Sequence, residues 1–312
     1  MSSVVLVTGA SGFTGGHLVQ HLASSHTVVA WTRSTPPPEL TDVARWEQID
    51  LLDRPRVRTS IANLRPSRIY HCAGIPHVAD SWRDTTRVLE GNVLATEHLL
   101  DAIRRTRLSC RVLLPGSAAV YATTSDLITE EHPRAPASPY ALSKLGQEEL
   151  ALRAAGEDHL DVVITRSFNH TGPRQTPDFA IPSMARQIAL IEAGAIEPVI
   201  KVGNLDARRD LTDVRDVVRA YEALMASGSP GTVYNVGSGV ARSIRSVLDA
   251  LIERSKVPVR IESDPARMRP NDVPVLAANT SRLVRATGWQ PRISFDQMLD
   301  DLLTYWRGQA RT

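Results

Sequence analysis

The sequence predicts an α/β fold, a doubly wound parallel sheet carrying a smaller mixed α/β domain. Three observations predict it. Short apolar runs rich in β-branched residues alternate with helical periodicity through the first half, the pattern of a parallel sheet covered on both faces. A glycine-rich turn, Gly9-Ala10-Ser11-Gly12-Phe13-Thr14-Gly15, follows the first apolar run and opens the first helix. After residue 168 the texture changes, with Pro173, Pro177 and Pro182 punctuating a loop-rich stretch. The 312 residues suffice for about two domains, and 42% hydrophobic residues suffice for a large core.

The elements follow in order. Strands are expected at 4–8, 27–32, 46–50, 68–72, 111–116 and 161–167, with a helix starting near Thr14. The longest helix is expected at 85–107, with Val88, Leu99, Leu100 and Ile103 among its apolar positions. Ser138 as N-cap and Pro139 at the first helical position begin another. Beyond 168 come a helix at 183–193, a short strand at 199–202, a helix at 213–226 and a strand at 232–236 that returns to the sheet.

Charge narrows the function classes. Lys+Arg 36 against Asp+Glu 34 leaves a net charge of +2. A dedicated nucleic-acid binder is disfavoured, while a local anion pocket is not. Cys72 and Cys110 are far apart in apolar surroundings, which reads as two reduced thiols rather than a disulfide or zinc site. The chain enters its first strand at once, and no apolar run reaches the roughly 20 residues of a membrane span. These features predict a soluble cytoplasmic protein without a metal. His17 and His21 share a helical face without the glutamate of a zinc protease, and Arg104, Arg105 and Arg107 suit a helix C-terminus.

Glycines at this turn permit a tight bend and close backbone approach to a pyrophosphate, and the helix N-terminus behind it offers free N–H groups. Gly9, Ser11, Gly12, Phe13, Thr14 and Gly15 are therefore candidate cofactor residues. An acid at the end of the second strand would take the ribose 2′-OH of NAD; the sequence instead reads Ala30-Trp31-Thr32-Arg33-Ser34. Arg33 suits a 2′-phosphate, which favours NADP(H) with NAD(H) as the alternative. Asp50 and Leu51 lie where adenine is expected, and Ala73 has the small size that lets a cofactor pass close to the sheet.

Tyr140 and Lys144 stand at i and i+4 on the helix opened by Ser138-Pro139, hence on one face. A nearby ammonium lowers a phenol's pKa and makes Tyr140 usable as an acid or base. Ser117, after the fifth strand, sits at the carboxyl edge of the sheet, where ligands bind. The three residues suit interconversion of a carbinol and a carbonyl.

Together these residues resemble the extended short-chain dehydrogenase/reductase family over essentially the whole chain. The second half resembles the GDP-mannose 4,6-dehydratase branch, especially its GDP-4-keto-6-deoxy-mannose reductases. That likeness rests on Arg166-Ser167-Phe168-Asn169-His170-Thr171-Gly172-Pro173, Asn204-Leu205-Asp206-Ala207-Arg208-Arg209-Asp210, Arg269-Pro270-Asn271-Asp272-Val273-Pro274 and Gly288-Trp289-Gln290-Pro291. The resemblance implies that Asn169 contacts a sugar-nucleotide, that Arg209 and Arg269 neutralise its diphosphate, and that Asp272 faces the nucleoside ribose. Ordinary ion pairs with Asp206, Asp210 or Asp272 are the other reading of the two arginines. His77, in the loop after the fourth strand, is placed to approach the substrate, and His170 reads as structural. The division implied is a Rossmann-like NADP-binding domain over 1–168, with 204–237 returning to it, and a nucleotide-sugar-binding domain over 169–203 and 238–312.

The reaction expected is NADPH-dependent reduction of a GDP-4-keto-6-deoxyhexose. Dehydratases of the branch carry a glutamate two residues after the position of Ser117, where this chain has Ala119. A 4-epimerase or 4,6-dehydratase is the alternative within the family, and an NADP-sensing scaffold is the alternative outside enzymes. Family members commonly pair helices into a dimer, for which 85–107 and 139–155 are candidates.

Overall fold

The structure, a computed structural model, describes residues 4–268 and 273–311. Strands β1 (Val4–Thr8), β2 (Thr27–Thr32), β3 (Arg45–Gln48), β4 (Arg68–His71), β5 (Arg111–Ser117) and β6 (Asp161–Ser167) belong to one sheet. Three short strands, β7 (Asn169–Thr171), β8 (Val199–Val202) and β9 (Arg208–Asp213), lie outside it, and β10 (Val233–Val236) completes it. The spatial order is β10-β6-β5-β4-β1-β2-β3, with every pair parallel. The order reverses between β1 and β4. Outside the carboxyl ends of the strands, that switch point opens the crevice where sheets of this kind take ligands.

The helices are α1 (Phe13–Leu22), α2 (Arg54–Leu64), α3 (Val78–Arg83), α4 (Thr85–Leu89), α5 (Ala95–Arg105), α6 (Pro139–Gly156), α7 (Ala180–Glu192), α8 (Val214–Ser227), α9 (Ile244–Glu253), α10 (Ser281–Thr287) and α11 (Phe295–Gln309). Alternate residues of a strand face opposite sides. Val5 and Val7 pack in one core with Leu18, Val218, Tyr221, Leu283 and Trp289. Leu6 packs in the other with Val29, Trp31, Leu99, Ile103 and Ala154. Both faces are dry, which is why the strand reads as an unbroken apolar run.

The expected 85–107 helix is continuous in backbone from α4 to α5 but passes through a π turn, Glu90–Leu94. It ends at Arg105, and Arg107 lies at φ 48°. The wider turn carries Asn92, which is fully buried. Helix α7 begins at Ala180, three residues before the sequence expectation. Pro182 sits in its first turn, where the N–H that proline lacks has no intrahelical use. Strand β3 stops at Gln48, and Asp50 instead closes a turn by accepting from the Leu52 N–H at 3.0 Å.

A second body packs α7, α9 and α11 around β8, with Ile188, Ile200, Leu248, Leu299 and Leu302 in its core. β8 pairs with β12 (Arg260–Ser263), while β9 pairs with β7, β11 (Ala241–Ser243) and β13 (Val275–Leu276). Within 204–237, β9 thus lies in the small sheet, whereas α8 and β10 belong to the layers of the large one. No helix among the described residues is long and apolar enough to cross a membrane.

Candidate active site

The glycine turn is built as its sequence requires. Gly9 lies at φ +64°, and a Cβ there would stand 2.5 Å from the Ala73 nitrogen. A Cβ on Gly15 would overlap the Gly9 carbonyl. Gly12 caps α1 without a side chain, and the first intrahelical bond runs from the Gly16 N–H to the Gly12 carbonyl. The N–H groups of Phe13, Thr14 and Gly15 precede that bond and face outward from the helix start. Ser11 and Thr32 hydroxyls are 2.7 Å apart, tying the turn to the end of β2. Arg33, one residue further, is exposed and lines a cavity of about 190 Å³ with Gly74, Ile75, Pro76, His77 and Arg87. A narrow backbone cradle beside a solvent-facing guanidinium fits a phosphorylated dinucleotide. Leu51 is buried beside the Asp50 turn, and the Ala73 N–H donates to Thr8 Oγ1 at 3.3 Å.

Ser117 ends β5, and its Oγ accepts from the Ala119 N–H at 3.2 Å. Ser138 caps α6 by accepting from the Ala141 N–H, which sets Tyr140 in the first turn facing the end of β5. The Ser117 hydroxyl is near enough to the Tyr140 phenol to act on its ionisation. Lys144 is 9% exposed, and its Nζ donates to Pro115 O at 3.1 Å and to Gln147 Oε1 at 2.8 Å. Burial lowers its pKa to about 8. The expectation that Lys144 lowers the tyrosine's pKa is not met. Burial raises Tyr140, and Ser117 opposes that rise. The phenol is therefore protonated at neutral pH and holds the proton that a general acid needs.

The other sequence candidates fall on both sides of the cleft. His77 precedes α3 and stacks on Phe179 at 5.0 Å between centroids. Asn169 is exposed on β7. Arg209 lies on β9, where its Nη1 donates to Arg208 O at 2.9 Å. Among the described residues, Arg209 and Asp210 do not form the ion pair considered for them. The Asp210 carboxylate is buried and accepts from Ser238 N and Oγ, Gly239 N and Ala278 N, which holds the small sheet to the loops after β10 and β13. Arg269 and Asp272 lie outside the described residues.

Sequence reasoning missed several buried polar groups. Asn92 accepts from the Ile75 N–H at 2.7 Å and donates to Ser143 Oγ at 2.8 Å, joining the loop after β4 to α6. His170 donates from Nδ1 to Phe168 O at 3.0 Å, so its Nε2 accepts from the Thr14 hydroxyl at 3.1 Å. Phe13 stacks on the same ring at 5.9 Å. The structural reading of His170 is therefore right, and the ring clamps the glycine turn to the second half. A π turn leaves no periodicity signal, whereas Gln147, three residues after Lys144 on a helix, was visible from spacing alone.

Residues 6–302 match the family model of GDP-mannose 4,6 dehydratase. The chain belongs to that family. It is 36% identical to the GDP-6-deoxy-D-mannose reductase of Pseudomonas aeruginosa, across 100% of this chain and 99% of the relative. It is 34% identical to a dTDP-glucose 4,6-dehydratase of Streptomyces griseus, across 81% of this chain and 79% of the relative. Among solved structures, RMD from Pseudomonas aeruginosa complexed with NADPH superposes with a TM-score of 0.86 at 35% identity, covering 99% of this chain and 100% of that one. The Thermus thermophilus UDP-glucose 4-epimerase with NAD reaches 0.88 at 26% identity, covering 98% and 99%. The chain is an NAD(P)-dependent oxidoreductase of this family, and its parallel sheet with flanking helices is Rossmann-like.

Proposed function

We propose that the protein uses NADPH to reduce the 4-keto group of a GDP-4-keto-6-deoxyhexose, giving GDP-rhamnose or its 4-epimer. The single observation that carries this reading is the pair of hydroxyls, Ser117 and the protonated Tyr140, with no free acid beside it among the described residues. Ala119 offers only a methyl group near Ser117. Glu130 accepts from the Asn235 N–H at 2.8 Å and lies 3.7 Å from Arg282, which also holds Glu131. Dehydration must take a proton from C5 and expel the C6 hydroxyl, which needs a further base and acid. Carbonyl reduction needs one proton and one hydride. Similarity from end to end, at 36% identity, with a GDP-6-deoxy-D-mannose reductase supports the same choice.

In this mechanism Tyr140 gives its proton to the O4 oxygen as the carbonyl is reduced, and Ser117 donates a second hydrogen bond to that oxygen. The substrate oxygen would sit within reach of both hydroxyls. NADPH, when bound, supplies the hydride. The N–H groups of Phe13, Thr14 and Gly15 hold its pyrophosphate, with Gly9, Ser11 and Gly12 shaping the turn. Arg33 holds the 2′-phosphate, Asp50 and Leu51 border the adenine, and Ala73 leaves room at the sheet edge. Lys144 holds the nicotinamide ribose. His77, Asn169, Arg209, Arg269 and Asp272 make up the sugar-nucleotide side, where arginine pairs well with diphosphate.

Incubation with NADPH and a panel of nucleotide 4-keto-6-deoxy sugars, with product mass measured, tests the assignment. Consumption of the GDP-linked 4-keto sugar is expected, and GDP-mannose with NADP⁺ should remain unchanged. Catalytic formation of a 4-keto-6-deoxy product from GDP-mannose would make the protein a dehydratase instead.

The assembly proposed is a homodimer in the cytoplasm. The packed helices α4, α5 and α6 and the π turn leave Leu89, Leu94 and Leu142 exposed, an apolar face that a second copy would cover. Cys72 and Cys110 are unpaired. Light scattering should give twice the chain mass, and Leu142→Glu should shift it toward the monomer.

A further inference from the structure

Lys144 is held from behind by a chain of buried hydrogen bonds whose donors and acceptors are all fixed by chemistry. Thr96 Oγ1 lies 2.6 Å from the Asn92 carbonyl, which only accepts, so the threonine proton goes there. Thr96 Oγ1 must then accept from its two other partners, Gln147 Nε2 at 2.8 Å and His71 Nε2 at 2.9 Å. His71 is therefore the Nε2–H tautomer, and its Nδ1 accepts from the Thr8 hydroxyl at 2.8 Å. Thr8 in turn accepts from the Ala73 N–H. With its amide nitrogen donating to Thr96, Gln147 presents its carbonyl oxygen to Lys144 Nζ at 2.8 Å. Thr8, His71, Thr96 and Gln147 are all buried, so no water substitutes for a missing member.

An ammonium has three N–H donors. Pro115 O and Gln147 Oε1 take two of them, and both acceptors lie on the protein side. One N–H remains for the cleft. We infer that Gln147 is a positioning residue for Lys144: its carbonyl selects the ammonium form and aims the third N–H at the ligand, and the threonine–histidine chain fixes which end of the amide faces the lysine. This rests on the reading above only in giving Lys144 its role beside the cofactor.

The chain is not a proton wire. Burial, with Lys144 nearby, holds His71 neutral, at about 3, and an amide passes no proton readily. The titratable groups facing the amine are few. Cys72, at the end of β4, is kept a thiol by burial, its pKa pushed up to about 12. Tyr140 stands one turn back on α6. Glu148, one turn on, is committed to Arg166 by bonds of 2.6 and 2.8 Å.

The test reads Lys144 itself. Lysine side-chain ¹³C resonances of the cofactor-free protein are followed with pH, with Lys144→Arg assigning the signal, and the NADPH dissociation constant is measured over the same range by fluorescence. Gln147→Leu removes the acceptor and should lower the Lys144 midpoint by about one pH unit, which is a tenfold loss of proton affinity. NADPH binding at pH 8 should weaken about fivefold with it, as the ammonium fraction falls from about a half to about a tenth. Gln147→Glu places a carboxylate on the amine and should move the midpoint upward. Opposite shifts at one position do not arise from general loosening, and the glutamate variant keeps the question open to measurement if the leucine variant fails to fold. An unchanged midpoint in both, or displacement of both in the same direction, would overturn the inference. If the parent protein leaves every 4-keto sugar unreduced, the substrate assignment falls while these titrations stand.

Discussion

Tyr140 shows how much a single residue owes to its surroundings. Its place four residues before Lys144 and one turn inside a capped helix was readable from Ser138, Pro139 and the spacing. Its ionisation was not, because burial is set by residues remote in sequence; burial raises the phenol, and Ser117 rather than Lys144 opposes the rise. Tyr140→Phe keeps the ring and deletes the donor. General acid catalysis contributes about 10²–10⁴-fold, so turnover should fall by that much while NADPH binds nearly as before; near-normal turnover would remove Tyr140 from the chemistry. Arg33 is legible for a related reason. A strand end fixes where its side chain emerges, and the structure keeps it exposed at a cavity. One charge-assisted phosphate contact is worth about 1.5–3 kcal/mol, or roughly ten- to a hundredfold. Arg33→Ala should narrow the ratio of NADPH to NADH kcat/KM by that factor, and equal kinetics with both cofactors in the parent would end the 2′-phosphate reading.

At the scale of elements, apolar runs located six strands of the large sheet, since burial leaves an uninterrupted signal; the edge strand β3 is largely polar and half-exposed, and its end was expected two residues too late. What escaped was polar and local. The π turn at Glu90–Leu94 has no sequence period of its own, yet it delivers the Asn92 carbonyl to Thr96 and the Asn92 amide to Ser143. Strand β9 reads Arg-Arg-Asp at its start, a poor candidate for burial by composition. It is a strand because Asp210 turns inward and satisfies three backbone N–H groups of other loops. Leaving a buried donor unpaired costs about 1–3 kcal/mol. Asp210→Ala should therefore destabilise the protein by upwards of about 3 kcal/mol, measured by urea unfolding, whereas Asp206→Ala on the exposed turn before β9 should change little. Similar midpoints for the two variants would show that β9 does not depend on this carboxylate.

The whole molecule joins its two halves partly through neutral histidines. His17, on α1, donates from Nε2 to Pro173 O at 2.8 Å. Burial, reinforced by Arg174, lowers its pKa to about 4. His71 lies inside the sheet layer and is lowered by burial to about 3. In the unfolded chain both return to the ordinary histidine value near 6.5. Below that pH the unfolded state binds protons that the folded state refuses, so stability falls as pH falls, and it is fully present only above about 6.5. Each histidine costs about 1.4 kcal/mol per pH unit across its window. Between pH 6.5 and pH 5 the pair should therefore cost about 3 kcal/mol, since the unfolded histidines are only half protonated at the start of that interval. His17→Gln retains an N–H that can reach Pro173 O but has no proton to gain. Urea unfolding at pH 7 and pH 5 should show the variant losing about half as much stability as the parent over this interval. An equal loss in both would mean that the acid sensitivity arises elsewhere and that the contact between α1 and Pro173 does not report on pH.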